Sequence, residues 1–305
     1  GIVVREVDLT VGRVDTASDK VGALVGPFAK GAVNLPILVE NEQDLLDAFG
    51  KPSSTDKHYE YWMVASSYLS YGGALRIVRA DDDDLKNAFS GTAGNVKIKS
   101  TEHYNDLGYD GSTITNVTVA ARNPGSWANG LKVAIIDSFA DQVLTFSALP
   151  SGVQVGFGIT QGIPANTVLA GAGTTSLLTG FFKGIVTNVD TTNKQLSVKI
   201  LETVTNAGVG TEVDYQPSGI YKFGNTAVTV RNNAGSATST ATPTGNADWF
   251  DQQSISLTNS SINWNNLADR PGTSSFAAAR NSRFDEMHVV VIDDEGKITG
   301  NAGTI

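Results

Sequence analysis

The sequence predicts an α+β protein of several domains, in which a small α/β layer carries a large β-rich insertion. Residues 21–80 alternate apolar strands with two helical segments, which is the pattern of an α/β layer. Residues 139–245 hold only ten charged residues in 107, whereas residues 1–80 hold eighteen in 80. Gly, Thr, Ser, Asn and Val dominate the low-charge region, a composition typical of β modules with many turns. The 305 residues are enough for two or three such domains.

The α/β layer begins with two short apolar segments. VGALVGPFAKG (21–31) predicts a short buried strand that ends in a Gly-Pro turn, and LPILVE (35–40) predicts a second strand. Asn41 is the expected N-cap of a helix over 42–49, with Asp44 placed to bind the free N–H groups of the first turn. Gly50 and Pro52 end this helix.

A longer helix is predicted over residues 57–71. Apolar and aromatic residues recur there at spacings of three and four, so we expect a broad apolar face that packs on a sheet; the two sets are Tyr61, Val64, Ala65 and Tyr68, and Trp62, Ser66 and Leu69. Gly72 and Gly73 end the helix, and ALRIVRA (74–80) predicts the next strand. Trp62 is expected in the core.

The insertion is predicted to be built almost entirely of strands and loops. A loop-like segment (81–113) precedes a strand at 114–121, a loop at 122–130 and a strand at 131–137. The clearest hairpin covers 183–202 around a turn at 191–194, and 221–232 is expected to supply another strand pair. Residues 233–248 have low complexity and predict a mobile loop or linker. Residues 286–300 predict a closing hairpin whose sheet partner is the early α/β layer.

These patterns divide the chain into four predicted parts. Residues 1–20 form an N-terminal arm and linker, and residues 21–80 form the α/β core segment. Residues 81–138 together with 251–305 form a mixed, β-rich middle domain that returns to the core. Residues 139–250 form an inserted all-β outer module. The insertion thus interrupts one compact layer.

No catalytic, metal or cofactor site is predicted, so we expect the protein not to be an enzyme. Gly26 and Gly31 have the spacing of a phosphate loop, but Ala32 and Val33 stand where that loop needs Lys and Ser or Thr. The acidic run 81–84 is expected to be a solvated loop rather than a cation site, and the three histidines lack metal-ligand spacing. The chain contains no cysteine, which excludes disulfides.

Composition also limits the partners. The net charge is −9 without any cluster of Lys and Arg, so binding to nucleic acid is not expected. No stretch approaches the ~18 apolar residues of a membrane span, and no membrane partner is expected. IVVREVDL (2–9) reads as a strand ahead of a polar run at 15–20. It is either an edge strand of its own domain or an arm that pairs with another chain, and the cost of exposed edges favours the first.

Five segments, in this order, resemble the tail sheath proteins of contractile-tailed phages. GIVVREVDLT is similar to the PG(V/I)xxxE arm, without its proline. VGALVGPFAKGAVNLPILVENEQDLLDAFGKP resembles the GxFxxGP and dLxxxFGxP block, with Ala32 where Pro is common. YEYWMVASSYLSYGGALRIVRA resembles an aromatic helix that leads into YGGxLrVVRa. RNPGSWANGLKVAII resembles xPGxwGNxLkV, and MHVVVIDDEGKITG resembles the hairpin that closes the inserted region.

The resemblance implies a self-assembling subunit of a contractile tail sheath. Its partners would be other copies of itself in stacked hexameric rings, the tail tube, and baseplate and tail terminator proteins; it would be located in the virion after assembly in the host cytoplasm. The resemblance also implies a further domain beyond Ile305 that carries most subunit contacts, so we expect the 305 residues alone not to assemble. It favours the second reading of the N-terminal strand, as the strand donated to a neighbour: Ile2, Val3, Val4, Arg5, Glu6, Val7, Asp8 and Leu9.

Two alternatives stay open. The same fold serves in contractile bacteriocins and injection systems, and the residues do not separate these from a phage. A β-rich surface adhesin is the other alternative, and its binding region would then lie in 139–285.

Overall fold

The computed structural model describes residues 20–52, 58–92, 94–106, 116–168 and 177–305, and the side chains of 164–168 and 177–179 are outside this description. The chain divides into two compact units: unit 1 takes the described residues of 1–133 and 291–305, and unit 2 takes 134–290. Most regular structure is β. In the described residues no helix is long and apolar enough to span a membrane.

Unit 1 is built on a three-stranded sheet of order β1-β3-β2, with β1 parallel and β2 antiparallel to β3. Two helices follow β2, and a third helix and a small two-stranded sheet, β4-β5, come later in the chain. The elements are β1 Val21–Gly26, β2 Pro36–Val39, α1 Glu42–Phe49, α2 His58–Ser70, β3 Ala74–Arg79, β4 Phe89–Gly91, α3 Thr101–Asp106 and β5 Val117–Ala120.

The structure confirms the predicted bounds of α1, with Asn41 as its N-cap and Gly50 as its C-cap. Asn41 Oδ1 accepts a hydrogen bond from the backbone N–H of Asp44 at 2.9 Å, and the Gly50 N–H closes the helix on the Leu46 carbonyl. Leu45 and Phe49 are fully buried. They join Phe28, Val39, Trp62, Ala65 and Ile77 in one core between the helices and the sheet. Trp62 lies in this core as predicted, and its indole N–H donates to the Gly50 carbonyl at 2.9 Å.

The second helix buries a narrower face than the sequence indicates. Its buried residues are His58, Trp62, Ala65 and Leu69. Of the predicted set Tyr61, Val64, Ala65 and Tyr68, only Ala65 is buried. Val64 is 60% exposed, and Tyr61 and Tyr68 are more than one third exposed. The sheet beneath has only three strands, which is too narrow to cover both sides of a helix whose apolar residues surround most of its circumference.

Unit 2 is built on an eight-stranded sheet of order β13-β12-β8-β9-β10-β7-β14, with β11 also paired to β10. Its core contains Leu144, Ile159, Val186, Leu196 and Phe223. The strands are β7 Gln142–Thr145, β8 Gly158–Val168, β9 Leu177–Asp190, β10 Gln195–Thr205, β11 Gly210–Glu212, β12 Val228–Arg231, β13 Ala237–Ala241 and β14 Gly245–Asp248. The predicted hairpin at 183–202 is confirmed as β9 and β10, which are longer than expected.

The rest of unit 2 is a short hairpin, β15 Ser254–Ser256 with β16 Ser261–Asn263, and the four-residue helix α4 Ser275–Ala278. The chain crosses between the units along β6 Leu131–Asp137 and returns along β17 Met287–Asp293, and these two strands pair with each other.

Five local predictions are wrong. The segment 81–113 contains β4 and α3 and is not a continuous loop. The first strand is not buried along its length but alternates, with Val21 and Val25 exposed. Residues 221–232 contain one strand, β12, instead of a pair, and 233–248 contain β13 and β14 where a mobile loop was expected. The segment 286–300 is not a hairpin, and its strand β17 pairs with β6 rather than with the α/β layer. After β17 there is no second hairpin strand, and Asp293 forms only an isolated antiparallel β-bridge with Thr304 in the described residues.

Candidate functional site

The predicted donor strand lies outside the described residues, since the described part of the chain begins at residue 20. The prediction for Ile2, Val3, Val4, Arg5, Glu6, Val7, Asp8 and Leu9 therefore stays a prediction. The structure does describe the surfaces of unit 1 that are available to a partner.

The three-stranded sheet of unit 1 has one covered and one open face. Residues alternate along each strand, so Leu75 and Ile77 point to the helices while Arg76 points away from them. The face opposite the helices carries apolar side chains on both outer strands. Val25 on β1 is 62% exposed and Leu38 on β2 is 46% exposed. The open sheet face thus exposes two apolar side chains beside Arg76.

The same sheet also has two open edges. β3 is the central strand, and neither β1 nor β2 pairs with another strand on its outer side within the described residues. The outer backbone N–H and C=O groups of an edge strand can form a ladder with a strand from another chain. Among the described residues β1 and β2 are therefore the two outer strands of this sheet.

On the helix-covered side of the sheet, two partly exposed tyrosines of α2 lie over β1. Tyr61 lies against the Cα of Gly26, and Tyr68 lies against Gly22 and Gly73. A side chain at any of these glycines would collide with a tyrosine ring, because an added Cβ would come within about 3 Å of it. Tyr71, at the end of the helix, is 84% exposed. The sequence predicted Tyr61 and Tyr68 on the apolar face that packs on the sheet, and it made no prediction for Tyr71.

Arg79 is the residue that joins the sequence blocks of unit 1. This side chain, at the end of β3, is only 2% exposed. Its Nη1 donates to the carbonyl oxygens of Gly31 at 2.9 Å and Pro124 at 2.7 Å, and its Nη2 donates to Ala29 at 3.3 Å. One guanidinium thus connects the turn after β1 with the loop at 122–130, and both segments belong to blocks that carry the family resemblance.

Burial lowers the pKa of Arg79, but not enough to remove its charge at neutral pH. Burial lowers the pKa of Arg79 to about 10, and nearby Asp81 opposes this change. At neutral pH the group remains charged, so the carbonyls receive charge-assisted hydrogen bonds. Gly125 makes the arrangement possible: its φ is 134°, and an added Cβ would lie 2.4 Å from the Ala29 carbonyl oxygen. Strand alternation signals this role in the sequence, since Arg79 shares the buried side of β3 with Leu75 and Ile77.

Two lysines form ion pairs with Asp81, the first carboxylate of the acidic run 81–84. Asp81 Oδ1 lies 2.9 Å from Lys97 Nζ, and its Oδ2 lies 2.5 Å from Lys99 Nζ. Hydrogen bonds from Lys99 and then Lys97 lower the pKa of Asp81 to about 2. In the described part of the chain no group of three or more His, Asp or Glu side chains is placed to hold a metal ion. His58 lies in the core, His103 accepts from the Lys99 N–H, and His288 contacts the Asp269 carbonyl.

Two curated proteins share sequence with this chain. The tail sheath protein of Enterobacteria phage T4 is 42% identical over 74 residues, which are 24% of this chain and 11% of that protein. The tail sheath protein of Salmonella phage ViI is 32% identical over 119 residues, which are 38% of this chain and 18% of that protein. No protein-family model matches the chain. The matched segments therefore span less than a fifth of either relative.

Both relatives are phage tail sheath proteins, so the resemblance predicted from the sequence blocks is confirmed, and over its matched part this chain is a relative of the tail sheath proteins of bacteriophages.

Proposed function

We propose that this chain belongs to the structural subunit of a contractile phage tail sheath. The observation that carries the proposal is its similarity to the two phage tail sheath proteins. In this function the subunits assemble as hexameric rings that stack helically around the tail tube. Contraction drives the tube into the host and delivers the genome. Further partners are the baseplate and tail terminator proteins, and the site of assembly is the host cytoplasm.

The proposed link between subunits is strand addition by the segment 2–9. Backbone pairing suits a contracting lattice, because ladder hydrogen bonds depend little on side chains and survive rotation of domains about a linker. The open edges of β1 and β2 support this idea, since both have the geometry to accept a strand. The polar run at 15–20 would act as the hinge.

The proposed energy source is a metastable extended lattice, whose interfaces are exchanged for better ones on contraction. Such a device needs no nucleotide. The departure from the phosphate-loop pattern at Ala32 and Val33 agrees with that requirement. We accordingly propose a structural role rather than an enzymatic one.

The test is negative-stain microscopy of the 305-residue chain and of the complete product of its gene, each alone and mixed with tail tubes. We expect tubes or rings from the complete product and monomers from the 305 residues. If the complete product stays monomeric even with tail tubes, the sheath function is wrong.

Strand donation is tested separately by Val4→Pro in the complete product, because proline removes a ladder N–H donor. The matched control is Val4→Thr, which keeps the N–H and a β-branched side chain. We expect the proline variant to lose tubes while the threonine variant keeps them, with unchanged circular dichroism in both. Normal tubes from Val4→Pro would reject strand donation and leave the sheath function standing.

A further inference from the structure

A cleft of about 430 Å³ lies in unit 2, between the second half of β6 and the region that contains the β15–β16 hairpin. Its volume is within the usual range of small-molecule sites, about 300–1,000 Å³. The buried residues Ile136, Ile255 and Trp264 belong to its lining. The cleft is distinct from the open sheet face and edges of unit 1, so the proposed assembly role does not account for it.

Two aromatic side chains in the lining remain accessible to solvent. Phe139 is 44% exposed, and Trp249 is partly exposed. Their ring centroids lie 5.9 Å apart with the planes tilted by 48°, so the two rings contact each other without stacking face to face. Ring faces that stay exposed in a cleft offer flat apolar surfaces to a ligand.

Polar groups capable of binding hydroxyls lie in the same lining. The carboxylate of Asp137 and the hydroxyl of Ser254 have no hydrogen-bond partner among the described residues. Gln253 Nε2 donates to the backbone carbonyl of Trp249 at 2.9 Å, and the structure records no partner for its Oε1 within the described part of the chain. The lining therefore combines a carboxylate, an amide oxygen and a hydroxyl with two aromatic rings.

The charges of the cleft restrict the ligand class. Its lining contains no Lys, Arg or His, so it does not suit a phosphate or a carboxylate ligand. A cation held by aromatic faces would use Asp137 but would leave the amide oxygen and the hydroxyl without a matching group. A pyranose ring uses all of them, because it has apolar faces for the rings and hydroxyls at its edge for the polar groups.

We propose that this cleft binds a neutral saccharide, with Phe139 and Trp249 stacking on sugar faces and Asp137, Gln253 and Ser254 binding hydroxyls. The sequence does not reveal the site, because Phe139, Trp249 and Trp264 share no spacing and only the fold brings them together. The proposal is independent of the sheath function, since it concerns unit 2 alone.

The test uses the 305-residue chain and a panel of methyl glycosides of glucose, galactose, mannose and rhamnose, together with N-acetylglucosamine. Binding is followed by saturation-transfer NMR and by tryptophan fluorescence. We expect at least one sugar to bind with a Kd of about 1 mM, the range of a single small ligand in an open site. Absence of binding by all five sugars up to roughly 50 mM would overturn the proposal.

Variants assign the binding to the cleft. Phe139→Ala and Asp137→Ala are expected to weaken binding about tenfold and about fivefold, and both remove exposed side chains whose loss leaves the core intact. The matched control is Phe276→Ala, an aromatic of the same unit that is 66% exposed and lies outside the cleft; it should bind as the parent does. Unchanged binding in both cleft variants would reject this site, as would binding of tetramethylammonium with the same dependence on Phe139 and Asp137 in place of the sugars.

Discussion

The two units bury charge in different ways. In unit 1, Arg79 is held by backbone carbonyls of Gly31, Pro124 and Ala29, and no carboxylate touches it in the described residues. In unit 2, Lys199 and Asp141 are buried together, with Nζ 3.5 Å from Oδ1. Lys199 also donates to the Ser138 carbonyl at 2.5 Å and lies 3.8 Å from the centre of the Phe284 ring.

Arg79 in unit 1 and the Lys199–Asp141 pair in unit 2 differ in the parts of the chain that they bind. The guanidinium of Arg79 has five donors in a fixed plane, so one side chain can join loops that are 45 to 50 residues away in sequence. In unit 2 the two opposite charges lie beside each other and each also binds the backbone: Lys199 Nζ donates to the Ser138 carbonyl, and Asp141 Oδ2 accepts from the Ile200 N–H at 2.8 Å. Burial raises the pKa of Asp141 and lowers the pKa of Lys199, so each group alone would favour its neutral form. A single arginine organises unit 1, whereas an ion pair is the corresponding element of unit 2.

The largest expected effect is that of Arg79→Ala. Two buried carbonyls and one partly buried carbonyl would lose their donor, and a large side chain would leave a cavity, so the free energy of unfolding of unit 1 should fall by about 4 kcal/mol. Hydrogen exchange of unit 1 amides measures this loss separately from unit 2. Arg76→Ala is the matched control, because Arg76 lies on the exposed side of the same strand, and it should change stability by less than about 0.5 kcal/mol. Equal effects of the two substitutions would contradict the joining role of Arg79.

A slightly smaller effect is expected for Lys199→Met in unit 2. It leaves the Asp141 carboxylate buried with only the Ile200 N–H and a distant Arg270 as partners, which should cost about 3 kcal/mol in unfolding free energy by denaturant titration. Replacing both charges, Lys199→Met with Asp141→Leu, should cost less than the sum of the single substitutions.

The control for the buried pair is Lys183→Met. Lys183 is half exposed and pairs with Glu202 on the surface, so its loss should cost no more than about 0.5 kcal/mol. If the double substitution costs as much unfolding free energy as the sum of the two single ones, Lys199 and Asp141 do not act as a pair. The difference from Arg79, which has no charged partner in contact among the described residues, would then be lost.

The smallest effect is expected at Asp81, the exposed counterpart of these buried charges. Its pKa is lowered from 3.8 to about 2 by Lys99 and Lys97, so its contribution to stability is present above about pH 4 and is lost as the pH falls towards 2. Asp81→Asn should therefore destabilise unit 1 by less than about 1 kcal/mol at pH 6, and this effect should shrink as the pH falls to about 2. Unfolding free energies measured across this range test the sign. A difference between wild type and Asp81→Asn that is as large at pH 2 as at pH 6 would contradict the assignment.

The sequence was most informative where local chemistry alone determines structure. Asn41, Asp44 and Gly50 defined the bounds of α1, because helix caps depend on neighbouring residues. The turn at 191–194 defined the β9–β10 hairpin in the same way; there the Asp190 carboxylate accepts the N–H groups of Thr192 and Asn193, both at 2.9 Å. The order of the five blocks also indicated the family without any structural information.

The errors in unit 2 arose where distant partners decide the backbone. β14 has the sequence GNAD, which has no strand preference, and it is a strand because β7 supplies its ladder. The reverse holds at Phe223, which was predicted in a strand. Its N–H donates to Gln142 Oε1 at 2.7 Å and its carbonyl accepts from Gln142 Nε2 at 3.0 Å, so one buried side chain takes the place of a neighbouring strand.

The same distinction between local and distant contacts applies to the candidate sites. The sequence by itself determined the low charge of residues 139–245, the caps of α1, the turn at 191–194 and the resemblance to phage tail sheath proteins, because each of these depends on residue type or on short spacing. Only the tertiary structure decided that β1 and β2 are the outer strands of their sheet among the described residues, that Arg79 joins two distant loops, and that Phe139 and Trp249 meet in one cleft. Each of these depends on contacts between residues tens to more than a hundred positions apart, and periodicity along the chain does not encode which distant segments meet.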